Sequence, residues 1–187
     1  MVGQFWNNAA MEPKRAHRFL VEFNLPGPAG GTTTQIYARK VTKPAYDIGQ
    51  SEHKFLGQTY YYPGAITWND VGITLINSAT PDFDLLLQIL LENAGYVNPD
   101  GVSTAPSGVT DASTVNKFDA TNAIGRVLIK ELNGDGAPIG EYELNNAWVK
   151  GIAYGDLDYG SEELLTVDVT LRYDWATYNN QPGRASG

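Results

Sequence analysis

One segment of the chain has hydrophobic positions that recur with the period of a helix, residues 80–95 (TPDFDLLLQILLENAG). The positions that would form one apolar helical face are Phe83, Leu86, Leu87, Leu90, Leu91 and Ala94. Thr80 is a suitable N-cap, Pro81 suits the first helical turn, and Gly95 can close the last one. These signals predict a helix over about 81–94.

The apolar face of this predicted helix is unusually wide. Leu85 and Ile89 extend it to about twice the roughly 100° sector that a surface helix on one sheet needs. Two interpretations follow. The helix lies deep in the core, or it lies between its own sheet and a neighbouring subunit, in which case Leu85 and Ile89 are inter-subunit contacts.

Most of the remaining chain alternates between apolar and polar residues, the pattern of half-buried strands. The predicted strands cover residues 17–25, 35–43, 52–62, 65–77, 124–132, 139–154 and 163–175. We expect a turn at Pro63 and Gly64, a bend near 70–72 and a bulge near 145–146. About seven strands with one flanking helix predict a mainly β protein, an antiparallel β-sandwich or small barrel.

The other segments lack periodicity. Residues 1–16 are predicted to be an N-terminal arm, 96–123 a long loop insertion and 176–187 a C-terminal tail, all within a single domain over 1–187. Residues 44–51 are predicted to be a loop that carries Tyr46 and Ile48. Apolar side chains on a loop usually have a partner.

Composition excludes several classes of protein. The net charge of the 187 residues is −8, so the chain as a whole does not neutralise nucleic acid. It has no cysteine and hence no disulfide framework or thiolate metal site. No apolar run approaches about 20 residues, and the first ten residues do not resemble a secretory leader. We therefore expect neither a membrane-spanning nor a conventionally secreted protein.

Charge is divided unevenly along the chain. Residues 1–54 contain seven basic and four acidic residues, a balance of +3, and the remainder contains six basic and seventeen acidic residues, a balance of −11. Ordinary solvation accounts for such a division in many proteins. The alternative is a molecule with a positive and a negative end, which would favour head-to-tail stacking.

Candidate catalytic or metal-binding patterns are weak. His17 and His53 are far apart in the sequence, and no Gly-x-Ser-x-Gly or phosphate-binding motif is present. The segment 131–143 (ELNGDGAPIGEYE) departs from a calcium loop at its first and twelfth positions, so its Asn-Gly and Asp-Gly pairs predict a hairpin turn. The carboxylates of 156–163 indicate a solvated turn. We expect no enzymatic activity, no metal and no cofactor.

Four stretches together resemble a known family: HRFLVEF, YARKVTKPAYDIG, HKFLGQTYYYPGAITWNDVGITLIN and, after the predicted helix, EYELNNAWVKGIAYGDLDYGSEELLTVDVTLRYDWATY. In this order they resemble the major tail tube protein of contractile-tailed bacteriophages. The resemblance covers most of residues 17–175. It is clearest at 41–45, at 65–77 and in the closing TVDVTLRYDW, and weakest in the two segments 26–34 and 96–123.

The resemblance implies a β-barrel-like subunit that assembles into hexameric rings. Strands of six subunits would join into a barrel around a channel, and stacked rings would form the tube inside a contractile sheath. Implied partners are the subunit itself and the tail sheath, baseplate, tape measure and tail terminator proteins, with no membrane. The tube would be assembled in the host cytoplasm, would belong to the virion, and would let DNA pass without specific binding.

The resemblance and the residues together predict contact surfaces. Lys40, Lys43, Tyr46 and Ile48 would reach the adjacent ring and meet acidic residues there, of which Asp156 and Asp158 are the best candidates. On the polar face of the last predicted strand, Thr166, Asp168 and Thr170 would line the channel, because carboxylates and hydroxyls do not retain DNA. Arg172 on the same face has the opposite charge.

Two alternatives differ from a phage tail. A tube of a phage-derived delivery device, of the type VI secretion or bacteriocin kind, is implied by the same resemblance. A carbohydrate-binding β-sandwich is suggested by Tyr60, Tyr61, Tyr62 and Trp68, which could form a stacking platform.

Overall fold

The computed structural model describes residues 13–25, 32–36, 38–78, 82–97 and 114–180. Its strands are β1 (Phe19–Leu25), β2 (Thr32–Ile36), β3 (Ala38–Val41), β4 (Tyr46–Phe55), β5 (Gln58–Trp68), β6 (Val71–Ile76), β7 (Arg126–Leu132), β8 (Pro138–Asn145), β9 (Trp148–Tyr154), β10 (Thr166–Arg172) and β11 (Trp175–Asn179). Its helices are α1 (Phe83–Asn93) and α2 (Lys117–Ile124).

Two antiparallel sheets face each other across one core. The five-stranded sheet has the order β11-β8-β7-β1-β2, and the four-stranded sheet has the order β3-β6-β10-β9. The largest core side chains, all less than 2% exposed and drawn from both sheets and α1, include Val21, Ile73, Leu75, Phe83, Ile129, Leu144 and Leu171. The predicted antiparallel β-sandwich is confirmed, and the described strands do not close into a barrel.

The long predicted strands are each broken where the chain changes sheets. The strand predicted over 139–154 divides at Asn146, whose φ of 53° turns the chain from the five-stranded into the four-stranded sheet. The strand predicted over 35–43 also divides between the two sheets, into β2 and β3. The strand predicted over 65–77 is divided between the end of β5, at Trp68, and β6, which begins at Val71. The bend expected near 70–72 is thus a corner between sheets. The bulge expected near 145–146 is wrong, since a turn between strands of different sheets lies there instead.

The end of the chain contributes a strand that the sequence analysis assigned to the tail. The last predicted strand is shorter than expected and ends as β10 at Arg172. Residues 175–179 then form β11, which pairs with β8 in the other sheet. The inward positions change phase at this corner: Tyr173 is buried, Trp175 is 46% exposed, and Ala176 packs on the core instead. The sequence pattern, in which Trp175 continues the apolar series of β10, does not show this change.

The segment around 44–68 forms a long two-stranded hairpin, and two predictions for it are wrong. Residues 46–51 belong to β4 and are not a loop. The turn lies at Leu56 and Gly57, with φ of 49° and 81°, and not at Pro63, which pairs with Gln50 inside the hairpin. Two successive positive φ values are typical of a tight hairpin turn. Leu is uncommon at the first of these positions, so the sequence does not predict the turn here.

Helix α1 is close to its predicted limits. The Asp82 side chain caps it by accepting hydrogen bonds from the amides of Asp84 (3.1 Å) and Leu85 (3.2 Å); Thr80 and Pro81 lie outside the described residues. Gly95, at φ 102°, ends the helix as predicted. Its amide and that of Tyr96 bond to carbonyls of the last turn, the pairing of a Schellman motif.

Helix α2 occupies part of the predicted loop insertion. Asn116 caps it, accepting a hydrogen bond from the Asp119 amide at 2.9 Å. The helix has eight residues, and its buried positions are Ala120, Ala123 and Ile124. Two alanines carry too little hydrophobic signal to be recognised in the sequence, and they become core residues only because α1 packs against them.

The four-stranded sheet has two chemically different ends. Strand register puts the C-terminus of β3 and the N-termini of β6 and β9 at one end, from which the β4–β5 hairpin departs; we call this the hairpin end. The opposite end carries the β9–β10 loop, residues 155–165, with Asp156, Asp158, Glu162 and Glu163. We call it the acidic end. The two are about 20 Å apart, the length of a seven-residue strand.

Candidate functional site: assembly surfaces

The exposed face of the four-stranded sheet is mainly polar, and small side chains occupy its centre. Thr166, Asp168 and Thr170 of β10 all lie on it. Their cross-strand partners are Ile76, Thr74 and Gly72 in β6, and Gly151 and Ala153 in β9; Lys40 of β3 is opposite Thr74. The Thr74 hydroxyl donates a hydrogen bond to Asp168 at 2.5 Å. The structure thus brings the three residues predicted to line a channel onto one exposed, mainly polar face.

An ion-paired cluster lies at the hairpin end of this face. It contains Arg172, whose positive charge is opposite to that expected of a channel lining. Arg172 bonds to Asp70 at 2.9 Å and to the Trp68 carbonyl at 2.8 Å, and Lys150 bonds to the other Asp70 oxygen at 2.6 Å. Hydrogen bonds from Lys150 and Arg172 hold the pKa of Asp70 below its ordinary value. The positive charge of Arg172 is therefore partly compensated.

Both edges of the four-stranded sheet are open within the described part of the chain. β3 pairs only with β6, and β9 pairs only with β10. An unpaired edge presents backbone donors and acceptors that another strand can complete. Such a sheet is competent to join further sheets of the same kind side by side.

The β4–β5 hairpin is exposed along its whole length beyond its base, which is formed by Tyr46 and Trp68. Its exposed apolar side chains are Tyr46, Ile48, Phe55, Leu56, Tyr60, Tyr61, Tyr62 and Ile66. At the base, Trp68 stacks edge-on with Tyr46 (5.1 Å between centroids) and contacts Tyr173 (5.8 Å). Elsewhere the two strands pair mainly with each other. This much exposed apolar surface indicates an interaction element.

The four aromatic residues of the carbohydrate hypothesis do not form one platform. Tyr60 and Tyr62 lie on one side of β5, and Tyr61 lies on the other because successive side chains alternate. Trp68 is held at the hairpin base against Tyr173. Without a shared plane, the stacking surface expected of a sugar-binding site is missing from this segment.

The two predicted lysines of the hairpin end differ in their surroundings. Lys40 is exposed, whereas Lys43 forms an ion pair with Glu131, a carboxylate that also pairs with Lys14. Lys14 lies over the Tyr178 ring. These residues border a cleft of about 450 Å³ whose basic lining residues are Lys14, Arg15, Arg18, Arg39, Lys40 and Lys43. Lys43 thus has a structural role as well as a predicted contact role.

The Glu131 cluster makes stability depend on acid pH. Burial alone would raise the pKa of Glu131, but hydrogen bonds from Lys14 and Lys43 outweigh it and lower this pKa below the ordinary value of 4.5. A lowered carboxyl pKa stabilises the fold above the unfolded-state value, and this contribution is lost as the pH falls through the folded-state value. We expect Glu131→Gln to lower the thermal midpoint at pH 7 and to flatten its decline below about pH 4.5.

The matched control for this prediction is Glu143→Gln, the same chemical change at the more exposed pair with Arg126. This pair is bidentate, so its loss should cost about 1 kcal/mol, less than the loss of the more buried Glu131 pairs. Thermal unfolding followed by circular dichroism between pH 3 and 7 measures both. Equal midpoints for the Glu131 variant and the parent at pH 7 would contradict the assigned role of the cluster.

At the acidic end, Asp156 and Asp158 lie in the exposed β9–β10 loop. Asp158 accepts a hydrogen bond from the Gly160 amide at 2.9 Å, which shapes the loop. A cleft of about 540 Å³ separates this loop from α1, and Leu85 borders it together with Leu157. Two groups of predicted inter-subunit residues are therefore neighbours, at the end opposite to Lys40, Lys43, Tyr46 and Ile48.

The wide apolar face of α1 is divided between the core and the surface. Phe83 and Leu87 are buried, Ile89 is half-buried, and Leu85 is 46% exposed. Glu92 is also buried, at 2% exposure. Part of the apolar face of α1, including Leu85, therefore stays exposed after the helix has packed on its own subunit.

The described residues contain no group of three or more metal-ligating side chains. His17 and His53 are both exposed. Residues 133–137 form the predicted hairpin turn, in which the Asn133 side chain accepts hydrogen bonds from the amides of Asp135 and Ala137. Neither described helix has the length and hydrophobicity needed to cross a bilayer.

Comparison with solved structures identifies the fold. A chain of the anti-feeding prophage (AFP) baseplate, solved by cryo-EM with 6-fold symmetry, has a TM-score of 0.64 at 18% identity, over 91% of this chain and 98% of that one. A chain of the PVC sheath/tube terminator of an extracellular contractile injection system has a TM-score of 0.57 at 15% identity, over 91% and 99%. A chain of the PVC sheath-tube complex has a TM-score of 0.53 at 16% identity, over 95% and 99%.

No protein-family model and no curated protein matches the chain. The structural likenesses nevertheless cover nearly the full length of both partners in each comparison. The chain therefore shares its β-sandwich fold with these chains of contractile injection systems.

Proposed function

We propose that this protein is a structural subunit of the inner tube of a contractile machine, with no enzymatic activity. The observation that supports this most directly is the four-stranded sheet. Among the described strands it has an open edge on each side, and it carries Thr166, Asp168 and Thr170 on one exposed face. Open edges allow identical sheets to join laterally, and a mainly polar face suits the wall of a channel.

Six copies give the simplest closed arrangement. Four strands from each of six copies would form a barrel of twenty-four strands, in which β9 of one copy pairs with β3 of the next. The 6-fold symmetry of the AFP baseplate structure supports this number. Closure removes every exposed edge of the sheet. Thr166, Asp168 and Thr170 would then line the channel, and Leu85 and Ile89 would face a neighbouring subunit.

Rings would stack with the hairpin end of one against the acidic end of the next. Tyr46, Ile48 and Lys40 belong to the first surface, and Asp156 and Asp158 to the second. Because the two surfaces lie at opposite ends of one sheet, head-to-tail stacking brings them together in every layer. The sheath, baseplate, tape measure and terminator proteins of a tail would be the further partners.

The cargo distinguishes two versions of this function. In a phage tail, assembled in the host cytoplasm and carried in the virion, DNA would leave through the channel, where Asp168 repels phosphate weakly. The second version is the tube of a phage-derived delivery device. Its support is that AFP and the PVC assembly, an extracellular contractile injection system, provide the structural likenesses above.

The experiment that tests the tube function is direct observation of assembly. Concentrated purified protein should sediment as hexamers and larger stacks, and negative-stain images should show rings and tubes with an open channel. A protein that stays monomeric at high concentration, and in the presence of a cognate sheath, would overturn the proposal.

Charge reversal tests the stacking surfaces separately from the ring. Lys40→Glu should leave rings intact and shorten or abolish tubes, because each ring would lose six attractive contacts and gain six repulsive ones. Raising salt toward 1 M, where the screening length is about 3 Å, should weaken stacking before ring closure. Lys43 is unsuitable for this test, since its reversal would put a second carboxylate beside Glu131.

Lys40→Gln provides the graded control, because it removes attraction without adding repulsion. Tube length from electron micrographs and ring content from sedimentation velocity separate the two levels of assembly. Normal tubes from the Lys40→Glu protein would mean that the charge division of the chain is ordinary surface solvation.

A further inference from the structure

A second cleft opens at the hairpin end, between the base of the hairpin, the start of α2 and the ends of β9 and β10. Its volume is about 570 Å³. Three aromatic residues, Trp68, Trp148 and Tyr173, border it, and Lys117 and Arg172 lie at its margin with Asp174. Lys117 pairs with Asp174 at 2.7 Å, and its side chain is still 61% exposed. The cleft therefore combines an aromatic wall with two basic groups: Lys117, which stays exposed beside Asp174, and Arg172, whose charge Asp70 partly compensates.

The β9–β10 loop at the acidic end has the complementary character. Its Leu157 is 87% exposed and its Tyr159 is fully exposed, so neither side chain packs on its own subunit. Four carboxylates and no basic residue lie between Gly155 and Leu165. Two apolar side chains displayed on an acidic loop are unfavourable in water unless a partner covers them.

The cleft and the loop occupy opposite ends of the same pair of strands. β9 and β10 run side by side; Trp148 and Arg172 pair at the cleft, and the loop joins the other ends of the two strands. A molecule that stacks head to tail along these strands must present the loop of one copy to the cleft of the next.

We propose that the loop of one copy docks in this cleft of the copy in the adjacent ring. Tyr159, supported by Leu157, enters between Trp68 and Trp148, where aromatic packing is favourable. Asp156 and Asp158 approach Lys117 and Arg172, which fixes the direction of stacking. The partner is a second copy of this chain. This inference rests on the proposed tube function and adds an inter-ring joint made by the body of the subunit, independent of the hairpin tip.

Cysteine cross-linking tests this joint, because the chain has no cysteine of its own. Tyr159→Cys and a tagged Thr67→Cys protein are mixed, assembled and oxidised; Thr67 is an exposed residue of the cleft. A disulfide needs Cα atoms within about 7 Å, and the two sites are at opposite ends of one subunit, so a bond can form only between copies. We expect disulfide-linked mixed dimers in tubes, and a ladder of longer chains from the double variant.

The matched control replaces Tyr159→Cys by Asp135→Cys, an exposed position in the β7–β8 turn. Mixed dimers should then stay at the background seen without assembly. Tubes that form normally and give no more Tyr159–Thr67 cross-link than this control would overturn the joint and leave the tube function standing. A protein that forms neither rings nor tubes would overturn both.

Tyr159→Ser gives an independent readout without cysteine. The side chain is fully exposed in the subunit, so thermal unfolding should not change. The concentration of rings needed for tube formation should rise by about tenfold or more, which corresponds to about 1.4 kcal/mol shared among the six joints of a ring. An unchanged concentration would contradict the docking of Tyr159.

Discussion

Replacing Leu87 by aspartate will unfold the subunit. Leu87 is 3% exposed and lies in the core cluster with Phe83 and the inward faces of both sheets. An unpaired carboxylate at this position costs about 4 kcal/mol or more, a large part of the 5–15 kcal/mol that stabilises a typical domain. Circular dichroism and chemical denaturation should show a lost or strongly shifted transition.

The matched variant, Leu85→Asp, will leave the subunit folded and prevent ring formation. Leu85 is 46% exposed, two residues away on the same helix. An aspartate there lies in the first turn of α1, where the helix dipole favours a negative charge. Folding should change by about 0.5 kcal/mol or less. The buried inter-subunit contact would lose its apolar side chain and gain a charge.

Ile89→Asp should lie between these two, because Ile89 is half-buried. Leu86 and Leu90, the positions that the sequence pattern points to for an unfolding test, are only partly buried and discriminate less well than Leu87. Sedimentation velocity and thermal unfolding of all variants separate association from folding. Equal destabilisation by Leu85→Asp and Leu87→Asp would show that the whole helix is intramolecular.

Removing the hairpin will abolish tubes while the subunit still folds. Ile48 and Ile66 are directly paired, so an Asn-Gly turn between them can replace residues 49–65 without changing the register of the remaining strands. The removed part is exposed throughout and pairs mainly with itself, so stability should stay within about 1 kcal/mol of the parent. The lost segment carries Phe55, Leu56 and the three adjacent tyrosines.

The control for this deletion keeps the hairpin and changes only its turn, by Leu56→Asn. Asparagine accepts a positive φ more readily than leucine, so the turn should form at least as well. Rings and tubes should then persist. The tubes should be shorter only if Leu56 itself contributes a contact. Full-length tubes from the deleted variant would exclude the hairpin from stacking and leave the β9–β10 loop as the remaining candidate joint.

The sequence determined the local features whose cause lies within a few residues. The apolar stripe and Gly95 define α1, because the helical period and the left-handed residue that ends the helix are both features of one short segment. The alternation in β6 and β10 defines strands with one buried face. The order of these elements was sufficient to indicate an antiparallel sandwich and the tail-tube resemblance. It also placed Thr166, Asp168 and Thr170 on one polar face.

Only the tertiary structure decided where strands change sheets and which surfaces lie together. At both corners the inward positions are three residues apart, Leu144 and Ala147 at the first and Tyr173 and Ala176 at the second. Period-two alternation therefore does not predict which sheet the chain enters next. Helix α2 has alanines for its core positions, so its burial depends on α1. The separation of Leu157 and Tyr159 from the Trp68 cleft, at opposite ends of β9 and β10, is a consequence of strand register, and register is fixed by contacts between residues far apart in the chain.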